Sequence, residues 1–120
     1  SLHSLSVDLT RLAEGEISEK TWKAFQKGNV DVFTKRLIAL ENKWPLDKAQ
    51  GKYAADTEFR TYTQRFIRQF EEMYDQAAAN DHNALLGATI GSSDLAKLYT
   101  AMCKIAGRES VLASESLKAA

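Results

Sequence analysis

Cysteine is nearly absent from the 120-residue chain: Cys103 stands alone, which excludes an intramolecular disulfide and a cysteine zinc cluster. Proline occurs once and glycine six times, too few for a collagen-like or a Pro/Gly-rich disordered chain. No apolar run approaches the ~20 residues that a membrane-spanning helix needs. Neither sign of charge dominates. Lys and Arg number 16, as do Asp and Glu, so no net field draws the chain to nucleic acid or to an anionic membrane. The opening Ser1-Leu2-His3-Ser4-Leu5 has neither a basic start nor an apolar stretch and does not resemble a secretory leader. A single cysteine suits a reducing compartment, and a cytoplasmic location is expected. The chain begins with Ser1 and not with methionine, which suggests a piece of a longer protein, whose other parts are free to carry a membrane anchor.

What is present is helical pattern. Hydrophobic residues make up 44% and charged residues 27%, ordinary values for one globular domain, and a chain of this length buries roughly two thirds of its unfolded surface. Leu2, Leu5, Leu9 and Leu12 form one apolar stripe, stopped at Gly15. Ser18 is placed to cap a second helix, with Ile17 and Trp22 as a hydrophobic staple, Glu19 in the first turn, and Gly28 at the end. Asn29 is placed to cap a third, whose seam Val30, Phe33, Leu37, Leu40 and Trp44 is spaced three and four apart until Pro45 interrupts it. Residues 46–52, broken by Gly51, suit a short helical turn or a loop. A long helix begins at Asp56 or Thr57 and carries Phe59, Tyr62, Phe66, Phe70, Met73, Tyr74 and Ala77 on helical spacing.

Asn80-Asp81-His82-Asn83 is a turn. Leu85, Leu86 and Ile90 suggest a short helix weakened by Gly87. A last helix, capped at Ser92 with Asp94 in its first turn, carries Leu95, Leu98, Tyr99, Met102, Ile105 and Ala106 and closes at Gly107. No segment alternates as a strand does. The fold expected is all-α, an antiparallel bundle of five or six helices over residues 1–108 with consecutive helices as neighbours, followed by a flexible or helical tail over 109–120. Burying the early aromatics (Trp22, Phe25, Phe33, Trp44) against the later ones (Phe59 to Tyr74) would supply most of the core.

Signals for chemistry are sparse. His3 and His82 lack a metal-ligating partner one helical turn away, so no metal, cofactor or catalytic residue is assigned. Cys103 sits among apolar neighbours toward a helix C-terminus, where burial suppresses the thiolate. Glu71 and Glu72 follow Arg68 by three and four residues and suit ion pairs on a wet face. Residues 35–68 carry four more positive than negative side chains and the remainder four more negative than positive; with Tyr53 and Tyr62 among them, that stretch is a candidate nucleic-acid face, though its cations are spread over two helices and a loop.

Several short segments resemble a known group. They are Lys27-Gly28-Asn29 with Phe33-Thr34-Lys35-Arg36-Leu37, Thr57-Glu58-Phe59-Arg60, and Phe66 with Phe70-Glu71. Ile90-Gly91-Ser92-Ser93-Asp94-Leu95-Ala96-Lys97-Leu98-Tyr99 and Ala106-Gly107-Arg108 complete the set. Together, over about residues 20–108, they resemble the C-terminal helical region of large alphaproteobacterial coiled-coil proteins, often labelled kinesin-like or apolipoprotein-like. That group favours Asp where this chain has Asn29, and Thr-Ser-Asp-Thr-Gly-Lys where it has Ser92 to Lys97. The resemblance implies an interaction or scaffold module at the end of a long chain and carries over no catalytic residue.

The function expected is therefore non-enzymatic: docking of a protein partner or self-association, with no contact to a membrane from this segment. The interaction candidates are Ser93, Asp94, Lys97, Trp44, Tyr62 and Arg65, with some surface of Trp22, Trp44 or Tyr62 left exposed. The alternatives are a ligand-binding bundle with a pocket between Tyr62, Arg65, Tyr74 and Tyr99, and nucleic-acid binding through residues 35–68.

Overall fold

Each helix is set by its ends as much as by its stripe. The computed structural model describes residues 2–29, 32–40, 45–79 and 93–112. The first helix, α1 (Leu2–Glu14), is closed by a Gly15 amide that donates to the Arg11 carbonyl at 2.8 Å. Helix α2 (Glu19–Gln26) starts where Ser18 Oγ accepts the Thr21 amide at 3.3 Å. It ends as the Asn29 amide donates to the Ala24 carbonyl and the Gly28 amide to the Phe25 carbonyl, both at 3.1 Å. That double closure requires a left-handed residue, and Gly28 supplies it at φ +104°.

Helix α3 (Val32–Leu40) buries Phe33, Thr34 and Leu37; the seam's ends, Val30 and Trp44, lie outside the described residues, as do the expected turn and short helix of residues 80–90 and the cap at Ser92. Among the described residues no strand occurs.

Residues 46–55 depart from expectation. They form a complete helix, α4 (Leu46–Ala55), with Pro45 directly before it and Gly51 inside it. A proline suits the start of a helix because the amide it lacks would have had no partner there. The glycine costs about 1 kcal/mol relative to alanine in a helix interior; burial of Ala49 and packing on two neighbours override it. The C-terminal end of α4 is also tied down. Arg60 reaches back and donates to the Tyr53 carbonyl at 3.0 Å and the Ala54 carbonyl at 2.9 Å, while Lys52 pairs with Asp56 at 3.2 Å.

Asp56 then caps α5 (Thr57–Ala79), its Oδ1 accepting the Phe59 amide at 3.1 Å. This accepted bond and the Lys52 ammonium hold the Asp56 carboxyl below its usual 3.8. The last helix, α6 (Asp94–Ala106), is capped by Ser93, one residue later than expected: its Oγ accepts the Ala96 amide at 3.2 Å.

Helix α5 is the axis of the all-α bundle. It packs against α1, α4 and α6, and α3 closes the other side against α1 and α6. Consecutive helices are neighbours for α2–α3, α4–α5 and α5–α6, but α1 lies chiefly on α5 and α3. The main core joins Leu5 and Leu9 of α1, Leu37 of α3, Phe59, Phe66, Ile67 and Phe70 of α5, and Leu98, Tyr99, Met102 and Cys103 of α6.

The early aromatics do not enter this core as a set. Trp22, Phe25 and Phe33 make a satellite of edge-to-face rings, with centroids 5.2–6.3 Å apart. It seals α2 onto α3, because α2 contacts the body mainly through α3.

Four serine and threonine hydroxyls are fully buried among the described residues, and each is satisfied. Thr10 donates to the Ser6 carbonyl at 2.7 Å, Thr63 to the Phe59 carbonyl at 2.8 Å, and Ser6 to the Leu2 carbonyl at 2.9 Å; Ser6 Oγ and Thr34 Oγ1 meet across α1 and α3 at 3.2 Å.

Candidate functional site

Small side chains at helix crossings leave room. Ala13 of α1, Ala49 of α4 and Ala101 of α6 sit where five helices converge, and between them opens a cleft of about 280 Å³. Its walls are Leu37 and Leu40 of α3, Leu46 of α4, Phe59 of α5, and Leu98, Met102 and Ile105 of α6. Lys104 is the sole charged residue among these lining side chains. Leu46 is 47% exposed, the single large hydrophobic side chain that stands out into solvent among the described residues. Buried apolar atoms facing a cleft lack dispersion partners on that side. An apolar space of ~150 Å³ already admits a benzene-sized guest, so this one is large enough for an apolar anchor.

The most connected polar group lies on the other side of α6. Gly107, at φ +70°, ends α6 with the same double closure seen at Gly28: the Arg108 amide donates to the Cys103 carbonyl at 3.0 Å and the Gly107 amide to the Lys104 carbonyl at 3.3 Å. The turn sends residues 108–112 back onto the bundle, where Val111 and Leu112 pack against the core. Arg108 Nη2 donates to both Glu71 oxygens at 2.9 Å, Tyr99 Oη donates to Glu71 Oε2 at 2.7 Å, and the Val111 amide donates to Tyr99 Oη at 3.0 Å. Glu71 thus finds its cation 37 residues downstream and not at Arg68.

Tyr99 is fully buried, its ring stacked on Phe70 with centroids 4.3 Å apart. Burial pushes its phenol well above the usual value of 10, and likewise raises the Cys103 thiol above 9. Both groups are held in their neutral forms, which suits holding a chain segment in place and does not suit nucleophilic attack.

The interaction candidates from the sequence are dispersed. Ser93 serves as the α6 cap; Asp94 and Lys97 share one helical face, 3.9 Å apart, as a largely exposed pair. Arg65 lies over the Tyr62 ring at 5.6 Å on α5, away from the cleft lining. Trp44 lies outside the described residues. Trp22 and Tyr62 are half-buried. The cleft is not lined by Tyr62, Arg65, Tyr74 or Tyr99, the tyrosine-lined pocket anticipated from sequence: Tyr99 is packed solid and Tyr74 stacks toward Phe70 at 6.4 Å.

Sequence reasoning missed Leu46, Ala49, Ala101 and Lys104. A signal existed for two of them, since Leu46, Ala49 and Tyr53 recur at three and four residues, a helical stripe overlooked behind Pro45 and Gly51.

Among the described residues, no group of three His, Cys, Asp or Glu side chains gathers as a metal site, and no helix is long and apolar enough to cross a membrane. No protein-family model matches the chain, and no curated protein or solved structure matches it.

Proposed function

We propose that the chain is a non-catalytic interaction module, part of a larger coiled-coil protein of the kind its short motifs resemble, that docks a protein partner through the α3–α4–α6 cleft. The observation that carries this reading is an open apolar cleft with an exposed leucine at its lip, because apolar clefts at protein surfaces are where partners seat their anchor side chains. The ionisable groups best placed for chemistry are otherwise engaged: Glu71 accepts three hydrogen bonds, and Tyr99 and Cys103 are buried and neutral. A nucleic-acid role for residues 35–68 draws less support. Arg36 pairs with Glu14, Lys52 with Asp56, Arg60 holds the end of α4, and Arg65 lies over Tyr62.

The test is a photo-crosslinking residue at position 46 of the full-length protein in its producing cell, followed by identification and reconstitution with the purified partner. A discrete adduct that Ala101→Glu removes, and that reforms with the purified partner, supports docking at the cleft. Position 46 labelling nothing, or adducts indifferent to Ala101→Glu, would overturn it.

A further inference from the structure

We infer that the same cleft takes a small anionic amphiphile, a medium-chain carboxylate whose hydrocarbon tail lies between α3, α4 and α6 and whose head meets Lys104. This goes beyond docking of a protein and stands whether or not a protein partner binds there.

Three features point to this chemistry. The first is size: about 280 Å³ lies just below the ~300–1,000 Å³ range of ligand sites, which suits a short chain better than a bulky polycyclic guest. The second is the wall. The side chains of Leu37, Leu40, Leu46, Phe59, Met102 and Ile105 consist of carbon and sulfur, so none of these asks a ligand's tail for a hydrogen bond.

The third is charge. Lys104 lines the cleft and is exposed, and among the described residues its ammonium has no carboxylate partner. Among the described residues no acidic side chain lines the cleft. Its backbone is already fixed, since Gln50 Nε2 of α4 donates to the Lys104 carbonyl at 3.2 Å and ties the two walls together. An apolar interior with one unpaired cation at its mouth is complementary to a molecule that carries one anionic end on an apolar chain.

The experiment titrates the full chain with decanoate below its micelle-forming concentration, and in parallel with decyltrimethylammonium, following heat and the methyl resonances of Leu46, Ala101, Met102 and Ile105. Expected is saturable binding of one decanoate, with shifts at those methyls and at the others that line the cleft but not elsewhere, and weaker binding of the cationic analogue. Because Lys104 is exposed, Lys104→Glu leaves the fold intact; it weakens decanoate by about threefold to fivefold, the scale of one exposed ion pair, and brings the cationic analogue level or ahead. Ala101→Phe fills the cleft and abolishes both, with circular dichroism confirming its helix content. Non-saturating heats, equal affinity for the two head groups, or binding unchanged in Ala101→Phe would each overturn the inference. Crosslinking at position 46 reads protein docking separately, so either proposal can fail alone.

Discussion

Removing one oxygen from the centre of the molecule isolates the Tyr99 hydroxyl. In Tyr99→Phe the ring stays stacked on Phe70, 4.3 Å away, and the apolar burial is unchanged. Lost are the 2.7 Å bond donated to Glu71 and the 3.0 Å bond accepted from the Val111 amide. A hydrogen bond to a charged acceptor contributes about 1.5–3 kcal/mol and a neutral one about 0.5–1.5 kcal/mol. Glu71 keeps its two bonds from Arg108, and the Val111 amide gains access to water once its partner is gone, so the loss settles near the lower sum, about 2 kcal/mol.

For a chain of this length that lowers Tm by roughly 8 °C. Urea unfolding followed by circular dichroism gives the equilibrium value, and amide exchange at Val111 gives the local one; exchange there should quicken while the α5 interior stays protected. A cycle with Arg108→Ala should show coupling, because both side chains act on one carboxylate. A Tyr99→Phe protein within about 0.5 kcal/mol of the parent, with Val111 exchange unaltered, would refute the network as a fastening for residues 108–112.

Other outcomes follow from the caps and titrations. Gly107→Ala should destabilise by about 1–2 kcal/mol through the left-handed backbone alone, since no atom lies within 4 Å of the added Cβ; urea melts check this. Asp56 has a folded pKa below its usual 3.8, so its stabilisation is present above that value and fades as pH falls through the lower folded one; the Tm gap between parent and Asp56→Ala should narrow in acid. Tyr99 runs the other way: raised in the fold, its contribution is full below 10 and lost as pH climbs above it, and Tyr99→Phe should flatten the alkaline loss of stability. Native Cys103 should react with a thiol reagent only as fast as the chain opens, far slower than in urea, because burial both hides it and keeps it protonated.

Much of the helical plan was legible because ends leave local marks. Ser18, Gly28 and Gly107 act within five residues of themselves, and such bonds can be read in order along the chain. The stripe from Phe59 to Phe70 was equally plain, since one helical period persists over many turns. Illegible were features made by crossing. Glu71 and Arg108 are 37 residues apart, and nothing local to either distinguishes that pairing from the nearer Arg68. The cleft exists because alanines at 13, 49 and 101 meet in space, and periodicity assigns each to a face without saying what stands opposite. Helix α4 was only partly legible for a different reason: beside Pro45 and Gly51 the stretch suits a helical turn as well as a loop, whereas the proline begins a full helix and the glycine is outvoted by packing. The separate cluster of Trp22, Phe25 and Phe33 shows the same limit, for aromatic count says nothing of which rings share a neighbourhood.

The meeting of Ser6 with Thr34 sets the axial alignment of two cylinders. Leucines on facing helices tolerate sliding, since one methyl against another is much like the next along. A hydroxyl pair 3.2 Å apart tolerates almost none, because half a turn of slippage would strand the buried Thr34 oxygen in hydrocarbon. Ser6 still has the Leu2 carbonyl to fall back on, so the pair adds little strength; what it contributes is a preferred setting, much as a keyway fixes a shaft that friction alone would leave free to creep.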